Sequence, residues 1–159
     1  MNASDILKYG NLTFLSSLKG LTDAEMLQGG VCGWWSVRDI AAHLTSYEHV
    51  LVEVLQGFLG GGPTPYLEQF KSGETFNDEQ VEARKNHSVR DVLREYDAVQ
   101  AKAMQLVAQL PAETLRQAGT LPWYGAEYAL DDFIVYAFYG HKREHSAQIH
   151  VYRDTLKKS

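Results

Sequence analysis

A chain of 159 residues, 45% of them hydrophobic, is long enough to bury one continuous core and short for two, so a single domain over residues 1–159 is expected. Fifteen Lys and Arg against twenty Asp and Glu leave a formal net charge of −5 with the basic residues scattered, which argues against nucleic acid and anionic membrane surfaces as partners. The lone Cys32 excludes an intrachain disulfide, and no basic region followed by an apolar block opens the sequence, nor is any run apolar for the length of a membrane span; a cytoplasmic protein is the expectation. In chain order, the first helical stretch covers about residues 4–19, where Leu7, Phe14, Leu15 and Leu18 recur at helical spacing, Ser4 stands as N-cap and Gly20 is the stop. The second begins at WSVRD, with Ser36 and Asp39 in the form of a capping box. It carries Ile40, Leu44, Leu51, Val54, Leu55 and Phe58 to the GGGPTP that ends it.

PYLEQFKSGETFNDEQVEARKNH then reads as a long crossover, in which NDEQVEARK has the makings of a short helix. Ser88 and Asp91 repeat the capping pattern ahead of the third stretch, whose Val89, Val92, Leu93, Tyr96, Val99, Ala103, Leu106, Val107 and Leu110 form the clearest amphipathic stripe before Pro111. The fourth covers about residues 130–156, with Ile134, Phe138, Ile149, Tyr152 and Leu156 on one side and Lys157 and Lys158 suited to the negative end of the helix dipole. No alternating strand pattern competes. The expected fold is all-α, a four-helix bundle with a long crossover between helices 2 and 3.

Histidines interrupt these apolar stripes. In YGHKREHSAQIHVY, His141 and His145 continue the series Ile134, Phe138, His141, His145, Ile149 or Gln148, Tyr152, and so take positions where core hydrophobes are expected. Side chains four apart on a helix lie one above the other, close enough for two imidazoles to chelate one ion. Alone, an H-x-x-x-H is as readily a pair of satisfied core or surface histidines. His43 changes the balance, because Ile40, His43, Tyr47, Val50 and Val54 make an inward face on the second stretch. Each buried polar group without a partner costs about 1–3 kcal/mol, and one shared metal accounts for all three. Three neutral imidazoles leave coordination positions open for water or substrate, as in catalytic rather than closed structural sites.

The other residues carry less. His49 reads as helix surface, His87 as the residue before a cap, and His150 as facing away from the pair. HKREH is not the zinc-protease H-E-x-x-H, since Glu144 directly precedes the second histidine and points off the metal face. Asp39 is better explained as a cap than as a partner orienting His43, and Glu48 is turned away by helical geometry. Tyr47, one turn after His43, is either a buried aromatic or a contact to a bound ligand. The glycines at 60–62 lack the G-K-[ST] of a phosphate loop, and Cys32 has no CxxC and no nearby basic residue. Trp34, Trp35, Trp123 and Tyr124 gather at helix ends as core caps, or as walls for a small organic ligand.

GWWSVRDIAAHLTSYEH and YGHKREHSAQIHVY resemble the two signature segments of the DinB superfamily, which includes YfiT-like proteins, thiol-dependent S-transferases and metal-free ClbS-like proteins. The resemblance covers essentially the whole chain. It implies a DinB/YfiT-like four-helix bundle, a homodimer, and a divalent metal ion, nickel or zinc, held by the matching His43, His141 and His145; three imidazoles also accept iron or manganese. For activity it implies a metal-dependent enzyme of thiol S-transferase or hydrolase type acting on a small molecule, one partner being a low-molecular-weight thiol, and a link to stress response through the damage-inducible product that names the family. No catalytic base stands out. Two alternatives remain: a metal-free, ClbS-like binding and self-protection protein, since LPWYGAEYALDDF resembles the segment before the last helix of that group, and a bundle whose metal is purely structural.

Overall fold

The computed structural model describes residues 2–157, and every regular element among them is a helix. Helix α1 (Ala3–Leu18) starts earlier than the Ser4 cap implies, because Asn2 accepts the Asp5 N–H through its side chain. A five-residue helix, α2 (Asp23–Leu27), sits in the link that follows; Thr22 and Glu25 close a capping box at its start. Helix α3 (Val37–Phe58) begins as expected, with Ser36 Oγ accepting from the Asp39 N–H and the Asp39 carboxylate accepting from the Ser36 N–H.

The crossover is more ordered than its punctuation suggests. It holds α4 (Pro65–Ser72) and α5 (Phe76–Ala83), both packed on α3. Thr64 makes no side-chain cap for α4, and the role passes to Glu53 on α3, whose carboxylate accepts from the Tyr66 and Leu67 N–H groups at 3.1 and 2.7 Å. This explains a buried glutamate in an apolar stripe. Phe76 and Val81 of α5 are buried.

Ser88 caps α6 (Val89–Val107) through the Asp91 N–H, and α7 (Ala112–Arg116) lies in the next link. The last stretch, expected as one helix, is divided: α8 (Leu130–Val135), a π-helical turn over Tyr136–Gly140, and α9 (His141–Leu156). Helix α1 crosses this turn at Gly10, where a Cβ would overlap the Phe138 carbonyl oxygen. The chain cannot come so close with any side chain between the backbones.

Helix α3 lies along α6 and α1 along α9, with α1 also against α6 and α3 against α9. Their apolar faces form two clusters. One gathers Leu7, Val50, Leu51, Leu55, Phe133 and Phe138; the other gathers Phe14, Ile40, Leu44, Val92, Tyr96 and Ile149. Along α3 and α9 the interval between them is polar and still buried, holding Thr45, Ser46 and Glu48 on one helix and Lys142, His145 and Ser146 on the other. Glu48 and Lys142 form a buried ion pair in that belt, and Lys142 also lies over the Tyr96 ring at 5.1 Å. No helix among the described residues is long and apolar enough to cross a membrane.

Candidate metal centre

His43 is on the second turn of α3, and His141 and His145 begin α9, directly after the π turn. The structure brings all three together. His141 Nε2 lies 2.9 Å from His43 Nε2 and 3.0 Å from His145 Nε2, and a set of ring nitrogens, one from each residue, falls within 4.8 Å. His43 and His145 are 2% and 6% exposed, whereas His141 is half-buried and is the member nearest to open space.

The chemistry of this donor set can be tested by counting protons. An imidazole nitrogen has one in-plane direction for bonding, a lone pair or an N–H, so His141 Nε2 cannot serve two neighbouring ring nitrogens at hydrogen-bond distance with good geometry. One contact stays unsatisfied. Protonation is no escape: burial first, then the charges of His141 and His145, push His43 down to about 2, and burial followed by His145 holds His141 near 4. Burial also lowers His145, against the opposing hydrogen bond to Gln148.

That bond sets the tautomer. His145 Nδ1 is 2.8 Å from Gln148 Oε1, an oxygen that can only accept, so Nδ1 carries the proton and Nε2 presents a lone pair to the cluster. His43 Nδ1 has no partner among the described residues, and His141 Nδ1 lies by the Ala137 carbonyl outside hydrogen-bonding geometry. Three neutral imidazoles with converging nitrogens are a donor set that fits a divalent cation, and these residues could hold one.

Aromatic rings close the cluster. Trp35, held by the short Cys32–Trp35 bridge ahead of α3, packs on His43 with ring centroids 4.9 Å apart. Tyr47 touches His43 at 4.8 Å and His141 at 4.7 Å, and burial raises its hydroxyl above the usual tyrosine range. On its far side Tyr47 meets Phe70 of α4, and here a cavity of about 470 Å3 opens, reaching the cluster at His141. Trp123 and Tyr124 pack around Phe133 at the same end of the molecule.

Other side chains fall where the spacing put them, except for His49 and for Trp34, which is 59% exposed and neither caps the core nor lines this cavity. Asp39 is occupied by Ser36 and by Arg38 at 2.9 Å and does not bond His43. His87 and His150 are exposed. Glu144 stays out of the histidine cluster and lines the cavity instead. His49, expected on the helix surface, is half-buried: its ring stacks on Tyr66 at 4.2 Å and bonds Glu95, which in turn pairs with Arg84. The crossover helices cover that face of α3, which an isolated helix would leave open. Sequence reasoning passed over Gln148 as a determinant of the site, although its i,i+3 relation to His145 is a usable signal. It also passed over Lys142.

No curated protein and no solved structure matches this chain. The family profile described as the DinB superfamily matches residues 12–149, a span containing all three histidines, and the chain belongs to that superfamily.

Proposed function

We propose that His43, His141 and His145 hold a divalent metal ion, nickel or zinc in preference to iron or manganese, and that the protein is a metal-dependent enzyme of thiol S-transferase or hydrolase type acting on a small molecule. The observation that carries this reading is the convergence of two neutral imidazole nitrogens, from His43 and His145, on His141 Nε2. A bound divalent ion supplies Lewis acidity, lowering the pKa of a thiol or water. The chain's own residues do the rest: Gln148 holds the His145 lone pair toward the site, Trp35 excludes water behind His43, and Tyr47 packs on His43 and His141 beside the cavity through which substrate arrives. We assign the working protein to a single domain, a homodimer and the cytoplasm.

The test is metal content. Protein purified without a histidine tag is expected to carry about one divalent ion per chain, and His43→Ala to lose most of it. Absence of a stoichiometric ion in wild-type protein would sink the metalloenzyme reading. A panel of low-molecular-weight thiols with model electrophiles then separates transferase from hydrolase chemistry, the first requiring metal-dependent consumption of thiol. One observation favours a second reading, the metal-free ClbS-like binder: the aromatic cavity is large enough to retain a ligand on its own. A purely structural metal falls if His43→Ala removes the ion while melting temperature and association stay unchanged.

A further inference from the structure

The cavity beside His141 has a charge pattern as well as a shape. Its walls are aromatic, from Tyr47, Phe70, Tyr124, Phe133 and Tyr136, and of the residues lining it Glu144 alone is charged at neutral pH. No lysine or arginine is among the described residues that line it. Glu144 is exposed at the rim, and its carboxylate makes no hydrogen bond or ion pair with any described residue. Three positions after His141, it stands on the cavity side of α9, one turn from the point where the cavity meets the cluster. The neighbouring Asp132, engaged with the Ala129 N–H, adds to the negative field at Tyr124.

Glu144 is the chain's own fixed charge at the rim, so an anionic group placed there would leave water beside a carboxylate that repels it. A cation meets the opposite: a carboxylate with acceptor capacity to spare and the electron-rich faces of several tyrosines. Face and edge contacts between the wall rings favour an arene over a flexible chain. We infer that the cavity binds a small aromatic molecule carrying an ammonium group, its ring among Tyr47, Phe70 and Phe133 and its ammonium against Glu144. This rests on the proposal that the cavity is the approach to the histidine cluster, and it names the class of molecule brought there.

Three probes share one arene and differ in the head group: 2-phenylethylamine, 2-phenylethanol and phenylacetate. Titrated calorimetrically at pH 7 into the full chain after chelator treatment, so that no ion at the histidines can ligate the carboxylate, the amine is expected to bind at least about tenfold more tightly than the carboxylate, with the alcohol between them. Glu144→Gln is expected to bring the amine down to the alcohol's affinity while leaving the alcohol unchanged. Phe70→Ala is expected to weaken all three. Equal affinities, a preference for the carboxylate, an unaltered preference in Glu144→Gln, or no saturable binding of the amine would each overturn the inference. The same titrations on untreated protein of known metal content keep the two readings apart, since head-group preference at the rim depends on Glu144 and metal content on the histidines.

Discussion

Lys142 and Glu48 show what a buried charge costs and what holds it. Each side chain is about 1% exposed, and the two meet in an ion pair beneath the histidine cluster, with the Lys142 ammonium over the Tyr96 ring and the Tyr96 hydroxyl donating to Asn11 at 2.8 Å. Such a pair adds little net stability compared with apolar residues of the same volume, but removing one member leaves the other charged and unpaired in the interior. Lys142→Met is therefore expected to cost about 3–5 kcal/mol, while Glu48→Leu combined with Lys142→Met recovers most of the loss. Urea unfolding of the two variants decides it: a single Lys142→Met within about 0.5 kcal/mol of wild type would contradict the burial argument.

Two glycines within helices invite the same substitution with opposite outcomes. In an open helix interior, Gly→Ala stabilises by about 0.4–1 kcal/mol, through lost backbone freedom in the unfolded chain. Gly57 near the end of α3 is such a place, with nothing within 4 Å of an added Cβ. At Gly10 the added methyl group meets the backbone of the π turn, which cannot rotate aside, and a core that must make room loses about 1–3 kcal/mol. The clash exceeds the propensity gain. Gly57→Ala should raise the melting temperature and Gly10→Ala lower it; the same sign for both would mean that α1 does not approach the turn this closely.

At the scale of the whole molecule, acid stability tests the network that ties the crossover to α6. The hydrogen bond from His49, and then those from Arg84, hold the Glu95 carboxyl at about 2, below its ordinary 4.5, against the opposing effect of burial. A depressed folded-state pKa means that the unfolded chain takes up the proton first, so the stabilisation is complete above pH 4.5 and is lost as the pH falls through about 2. The difference in unfolding free energy between wild type and Glu95→Gln should favour wild type at pH 6 and shrink steadily below 4.5. A difference independent of pH would remove Glu95 from the network.

How much of this was legible beforehand depends on which signal each part used. His43, His141 and His145 stood out because polar residues occupied an apolar stripe at helical period, and such a stripe survives any detail of the packing. The four long helices declared themselves in the same way. Helix α4 did not, because Pro65 reads as a breaker although proline suits a first helical turn, and its cap comes from Glu53 on another helix. Lys142 was invisible for two reasons: lysine is almost always solvated, and its partner lies 94 positions away. The crossover helices likewise decide that His49 is covered and that Phe70 faces Tyr47, so neither follows from α3 alone.

The π turn between α8 and α9 also makes the spacing of this segment a matter of counting. Each residue of a helix advances the direction of its side chain by about 100°, so the orientation of His141 relative to Phe133 depends on how many residues lie between them. The five-residue π turn holds about one residue more than an α-helix needs for the same rotation, so deleting one residue from 136–140 would let the segment relax into uninterrupted α-helix with both histidines still aimed at His43. Inserting one residue there has no such outlet and would swing both about a quarter turn away from His43. Point substitutions there alter surface and fit; a single-codon insertion alters aim. Within a chain that would still fold as helices, the donor set would be dispersed with every histidine intact.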